Sequence, residues 1–173
     1  MILRDDDVFL TESPTDGALF YDFEKFKYAH ELIADAGFKH MLAICASEIP
    51  NHRELTGYIL DRKEEFEFGI HGWGHEKYST WENKTNIARS LFRAKERIEN
   101  VFEVEVRWFF PPWNKRSQQM YDACEEIGLK LDDSWQNFDE YLADKCPEKE
   151  TICFHYWNDH EVMLLKKALE KMK

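Results

Sequence analysis

Short apolar runs alternate with helical periods along the chain, and this predicts strands at Ile2 to Arg4, Lys39 to Ala46, Phe66 to Ile70, Val104 to Phe110, Lys130 to Leu131 and Thr151 to Phe154. Helices lie between them. The clearest runs from about Lys84 to Val101, where Ile87, Leu91, Ala94, Ile98 and Val101 recur at alternating steps of four and three. Another begins after Asp22 and ends before Gly37, an N-cap and C′ pair. Met120, Cys124 and Ile127 mark a third that stops at Gly128. Val162, Leu165, Leu169 and Met172 mark the last, and Lys171 and Lys173 give its final turn the sign that suits the helix dipole. Strands alternating with helices imply parallel pairing through crossovers, in either an open doubly wound sheet or a barrel.

The polar clusters fall at particular places in this pattern. Asp5-Asp6-Asp7, His71 to His75, Pro111 to Asn114, Asp132-Asp133 and His155 each come at or directly after the end of a predicted strand. In α/β folds the carboxyl ends of the strands carry the functional groups.

Composition narrows the function classes. The chain has 173 residues, 43% of them hydrophobic, enough for one well-buried core, and the expectation is a single catalytic domain over residues 1–173. Its 34 acidic and 23 basic residues give a net charge of −11. That charge repels phosphate backbones and anionic lipid, so neither nucleic acid nor an anionic membrane is expected as a partner. No leader of signal-peptide type and no apolar run of membrane-spanning length is visible, which predicts a cytoplasmic protein without an integral membrane segment. Cys45, Cys124, Cys146 and Cys153 form no CxxC pair and read as free thiols.

In His71-Gly72-Trp73-Gly74-His75, two glycines interrupt any helix, so both histidines sit on a loop. Neutral imidazoles joined by a carboxylate suit zinc and similar cations, and three protein ligands leave positions open for water and substrate. The alternative is a pair of ordinary loop histidines. Three adjacent carboxylates are costly in a partly buried site unless a cation or a basic partner compensates them; otherwise they form a solvated acidic loop. Pro111-Pro112 fix φ and remove two backbone donors, which makes the Trp113 N–H the next one free and aims it from a rigid turn, as an oxyanion site needs. His155 closes a strand and titrates near neutrality, as a general acid does. His30, His40, His52 and His160 have no such position and read as surface or structural residues.

These residues occur in the order and rough spacing of the polysaccharide deacetylase family, carbohydrate esterase family 4, which the chain resembles from Arg4 to His155. The resemblance implies a distorted, incomplete (β/α) barrel, consistent with a chain shorter than the roughly 250 residues of a complete one. It implies that Asp6 is the base and that Asp7, His71 and His75 hold one divalent metal, zinc first among candidates, with Asp5 as an alternative register. It also implies that Trp113 lends its backbone N–H to the oxyanion and that Cys153-Phe154-His155 makes His155 the acid. Asp133-Ser134-Trp135 resembles the family's Asp-Trp motif, with Asp133 orienting His155; Trp73, Pro112, Asn114 and Trp135 are expected as supporting or substrate-binding residues. Val8 and Asn114 replace family glycines, and Phe110 stands where many members have an arginine that pairs with the base, a charge that Arg4 or Arg107 would then supply. The implied reaction is removal of an acetyl or similar acyl group from an N-acylated sugar or glycan. Two rival readings are a metal-dependent amidohydrolase or esterase for a non-sugar substrate, and a glycan-binding module without catalysis.

Overall fold

The computed structural model describes residues 1–132 and 134–172; Asp133 and Lys173 lie outside them, and so do the expectations attached to both. The strands are β1 (Ile2–Val8), β2 (His40–Ile44), β3 (Phe66–Ile70), β4 (Trp108–Phe109), β5 (Lys130–Leu131), β6 (Trp135–Gln136) and β7 (Thr151–Phe154). They pair in the order β5-β4-β3-β2-β1-β7-β6, every pair parallel. Helices α1 (Phe23–Asp35), α2 (Arg53–Asp61), α3 (Lys84–Phe102), α4 (Gln118–Glu126), α5 (Phe138–Leu142) and α6 (Asp159–Met172) supply the crossovers and cover the sheet. The result is a curled, incomplete (β/α) barrel, with no pairing between β5 and β6 among the described residues.

Two layers of side chains follow from strand alternation. The larger core lies between sheet and helices, where Leu3, Leu42, Ile44 and Phe154 meet Phe26 and Ile33 of α1 and Ile87, Leu91 and Ile98 of α3. A smaller cluster of Met41, Ala43 and Phe110 fills the concave side. There Phe110 packs so close to β3 that a Cβ on Gly69 would run into its ring, which explains a glycine in the middle of a strand. Asp22 caps α1 by accepting from Lys25 N at 3.1 Å, and Gly37 follows the helix at φ 82°, as the sequence predicts.

Four elements differ from expectation for physical reasons. Strand β4 pairs only over two residues, because α3 takes up the backbone ahead of it: Lys95 Nζ donates to Val106 O at 2.8 Å and Val106 N donates to Glu99 Oε1 at 2.9 Å. Strand β1 runs on through the acidic triplet, since Asp5 and Asp6 find buried hydrogen-bonding partners and Asp7 turns toward two imidazoles, as described below. Helix α5 spans five residues, too short for a period to show, and is held by a capping box between Asn137 and Glu140. Strand β6 has only two residues, too few to show alternation.

Candidate active site

The carboxyl ends of β1, β3, β4 and β7 bring Asp6, Asp7, His71, His75, Trp113, Asn114 and His155 to the wall of one cleft. The acidic triplet reaches it through strand alternation and a bulge. Arg4 and Asp6 share the concave face, while Leu3 and Asp5 point to the helix layer. Asp5 is fully buried there, accepting from Tyr156 N at 2.9 Å and lying 3.2 Å from His40 Nε2, so the alternative register that would use Asp5 in the site is not the one adopted. Beyond it the β1–β2 register shifts, with Asp5 opposite Leu42 and Val8 opposite Ile44, so that two residues, Asp6 and Asp7, stand against one. The bulge turns Asp7, at φ 61°, into the cleft beside Asp6.

Asp7, His71 and His75 form a ligand-like cluster. Their donor atoms lie within 4.8 Å of one another, with Asp7 Oδ1 at 3.1 Å from His75 Nε2 and 3.4 Å from His71 Nε2. His71 Nδ1 lies 2.8 Å from Phe110 O. A carbonyl only accepts, so Nδ1 carries the proton and the Nε2 lone pair of the neutral ring faces Asp7. Asp7 Oδ1 is buried and accepts no hydrogen bond among the described residues. A lone pair facing an unsatisfied buried carboxylate oxygen is an unfavourable arrangement that a cation between them would reverse, so these residues fit a divalent metal. Burial raises the Asp7 carboxyl; protonated rings donating to it from Nε2 would hold it well below the usual carboxylate range, the same sense in which a cation between them would act.

Asp6 is held by Arg4. The fully buried guanidinium donates from Nε to Asp6 Oδ1 at 2.7 Å and from Nη2 to Asp6 Oδ2 at 2.8 Å, and then from Nη1 to Asp132 Oδ2 at 2.8 Å and from Nη2 to Asn114 Oδ1 at 2.9 Å. Its Cζ sits 4.8 Å from the centre of the Phe110 ring. Phe110 thus supports Arg4, the buried cation that pairs with Asp6. Burial pushes the Asp6 carboxyl up, and Arg4 more than offsets this to keep it below its ordinary value and ionised. The Cys153 thiol adds a donor to Asp6 Oδ2 at 3.0 Å.

On the facing side, His155 Nδ1 lies 3.1 Å from Glu161 Oε2, the same oxygen that accepts from His155 N at 2.7 Å, while Nε2 is 3.7 Å from Asp7 Oδ2. Burial lowers the imidazole's proton affinity, but the bond to Glu161 and the charges of Asp6, Glu161 and Asp7 outweigh it and raise its pKa to about 9. Pro111-Pro112 lead into Trp113 at φ 62° and ψ 8°, a left-handed conformation rare for a bulky residue. Four of the seven described non-glycine residues with positive φ, Asp7, His75, Trp113 and Asn114, line this cleft, so backbone strain concentrates where the polar groups converge.

Other expected residues lie elsewhere. Arg107 precedes β4, so it sits at the opposite end of that strand from the cleft, exposed and paired with Glu105 at 2.5 Å, and it does not pair with Asp6. Trp135 pairs with Thr151 at the start of β7, away from His155 at its end. Trp73 turns out of the cleft, its ring lying 3.5 Å from Arg93 Cζ and 5.1 Å from Arg97 Cζ of α3. Pro112 is the buried residue of the turn Pro112–Asn114. Sequence reasoning missed Glu161, Asp132 as the second carboxylate on Arg4, and the segment of Ser13, Pro14, Thr15 and Phe20 that forms the remaining wall with Trp157. A carboxylate in the first turn of α6, close after His155, was the only available signal for Glu161.

Residues 22–131 match the family model described as polysaccharide deacetylase. Solved structures with the same fold include a family 4 carbohydrate esterase from Streptomyces lividans in complex with acetate (TM-score 0.72, 10% identity, 99% of this chain and 86% of that one). A family 4 carbohydrate esterase from Bacillus anthracis is similar at TM-score 0.72 and 17% identity, over 99% of this chain and 73% of its own. So is a family 4 pseudoenzyme from Bacillus anthracis, at TM-score 0.75 and 14% identity, of which the match spans 59% and this chain 99%. No curated protein matches the chain in sequence. No helix among the described residues is long and apolar enough to cross a membrane.

Proposed function

The chain belongs to the polysaccharide deacetylase family, and we propose that it is a metal-dependent hydrolase, with residues 1–173 as one catalytic domain, that removes an acetyl or similar acyl group from an N-acylated sugar or glycan. The observation that carries this reading is the convergence, in one strand-end cleft, of the unsatisfied Asp7 Oδ1 with the Nε2 atoms of His71 and His75. These residues would hold the metal, and two imidazoles with one carboxylate favour zinc. A cation bound there supplies Lewis acidity and a water of lowered pKa.

The chain's own groups do the rest. Asp6, kept ionised by Arg4, takes the proton of the attacking water. The Trp113 N–H, presented by the strained turn, donates to the developing oxyanion, and losing such a donor typically costs on the order of a hundredfold in rate. His155 delivers a proton from Nε2 to the leaving nitrogen, and Glu161 on Nδ1 fixes the ring and balances its charge. The water's hydroxyl thus ends on the acyl carbon and its one remaining proton on Asp6, while the C–N bond breaks and the leaving nitrogen takes the proton of His155; return of a proton from Asp6 and uptake of one by His155 reset the site.

The test is acetate release from a panel of N-acetylated sugars and oligosaccharides, with and without chelator, for wild type and Asp6→Asn. Expected is release that disappears on chelation, returns with zinc, and falls at least a hundredfold in Asp6→Asn. Release that persists in the chelated protein, or none from any substrate in the metal-loaded protein, would refute the reading.

A further inference from the structure

The polar groups described above leave one wall of the cleft unexplained. Residues 11–20 fold into a short hairpin through an antiparallel bridge between Glu12 and Leu19, with Ser13 N donating to Ala18 O at 2.7 Å and Phe20 N to Thr11 O at 3.0 Å. Gly17 makes the turn at φ 72°, where a side chain would be strained. The open end of the hairpin is fixed through both of its strands. Thr11 N donates to Glu48 Oε2 at 3.1 Å, and Thr11 Oγ1 lies 2.9 Å from His52 Nε2. Across from it the Phe20 ring lies flat on Trp157, with centroids 3.9 Å apart and planes at 3°. Trp157 comes two residues after His155, so this aromatic stack stands beside the acid as a wall anchored on two separate segments.

The wall limits what enters. The cavity between the metal-ligand cluster and the stack is about 210 Å³, below the roughly 300 Å³ at which pockets begin to enclose drug-sized ligands. That space takes one acylated sugar ring. A chain of rings running past the site in both directions would meet the hairpin and the Phe20–Trp157 stack on one side.

We propose that the Phe20–Trp157 stack and its hairpin end the substrate site, so that the enzyme acts on a single N-acylated sugar, free or at the terminus of a glycan, and not on residues inside a polymer. This rests on the deacylase reading above. The reaction remains hydrolysis of one amide C–N bond, yielding the carboxylate and one free amine per sugar.

The experiment uses the zinc-loaded full chain on N-acetylglucosamine, its β-linked dimer and tetramer, and a soluble acetylated polymer of the same sugar, with acetate measured and the deacetylated position mapped by fragmentation mass spectrometry. The expected result is removal of one acetyl group per oligomer, at an end, and a rate on polymer that follows the concentration of chain ends. Phe20→Ala is expected to raise the ratio of internal to terminal deacetylation at least tenfold. Deacetylation of internal residues by the wild type, or kcat/KM rising with chain length, overturns the proposal while leaving the deacylase reading intact. No acetate from any of these substrates overturns both.

Discussion

Replacing Arg4 with methionine should destabilise the protein by about 3–5 kcal/mol, the cost of leaving buried carboxylates without their partner. The structure sets this at the upper end of single substitutions. The guanidinium is fully buried and makes three charge-assisted bonds to two carboxylates, at 2.7, 2.8 and 2.8 Å, and methionine keeps the packing against Phe110 while removing all of them. For a chain of this size the loss corresponds to a fall in Tm of roughly 6–20 °C. The pH dependence carries the sign. In the wild type Arg4 depresses the Asp6 pKa, so its contribution is full above the ordinary carboxylate value near 4 and is lost as pH falls through the lower folded value. In Arg4→Met burial is uncompensated and the Asp6 pKa moves above its ordinary value, so the penalty is largest at neutral pH and shrinks on acidification. Urea denaturation of both proteins between pH 4 and 8, followed by circular dichroism, measures it. A difference below about 1 kcal/mol at pH 7, or one that grows on acidification, would refute the argument that Arg4 is the charge that holds Asp6.

Two further outcomes follow. Glu161→Gln removes the negative charge that helps raise His155 to about 9; because the acid must be protonated to act, the alkaline limb of kcat should move to lower pH, and a profile superimposable on wild type would exclude Glu161 as the positioning residue. His30 is buried against Phe66, with ring centroids 4.1 Å apart; burial, then the neighbouring His40, lower its pKa to about 4. Its neutral form is favoured by folding although Glu65 lies 3.0 Å from Nε2, so stability is full above the unfolded value near 6.5 and falls as pH drops below it. His30→Phe should flatten that part of the stability profile measured by urea denaturation, and an unchanged slope would contradict it.

The strand ends and the HxxxH loop were legible because strand periodicity and loop glycines are local signals. The triplet's register was readable in principle: with period two, Arg4 and Asp6 share a face that Asp5 cannot, and the bulge that adds Asp7 is a departure from that period. Arg107 and Trp135 were misplaced for one reason. Each lies near a short strand whose start, not its end, they mark, and two-residue strands show no alternation from which to read direction. Arg4 was left open against Arg107 because neither neighbour in sequence reveals that Phe110 and Asp132, more than a hundred residues away, complete its pocket. Glu161 lies only six residues after His155, but nothing local says that the turn between them folds back, and the Phe20–Trp157 stack is a tertiary pairing that only the folded chain brings together.

The central claim is that Asp7, His71 and His75 hold one catalytic cation. Elemental analysis of metal per chain, after removal of loosely bound ions, tests it most directly on wild type and the His71→Ala/His75→Ala double variant, each shown to be folded by circular dichroism. The account predicts about one equivalent of a divalent metal in the wild type and little or none in the folded double variant. A full equivalent retained by the double variant would contradict it.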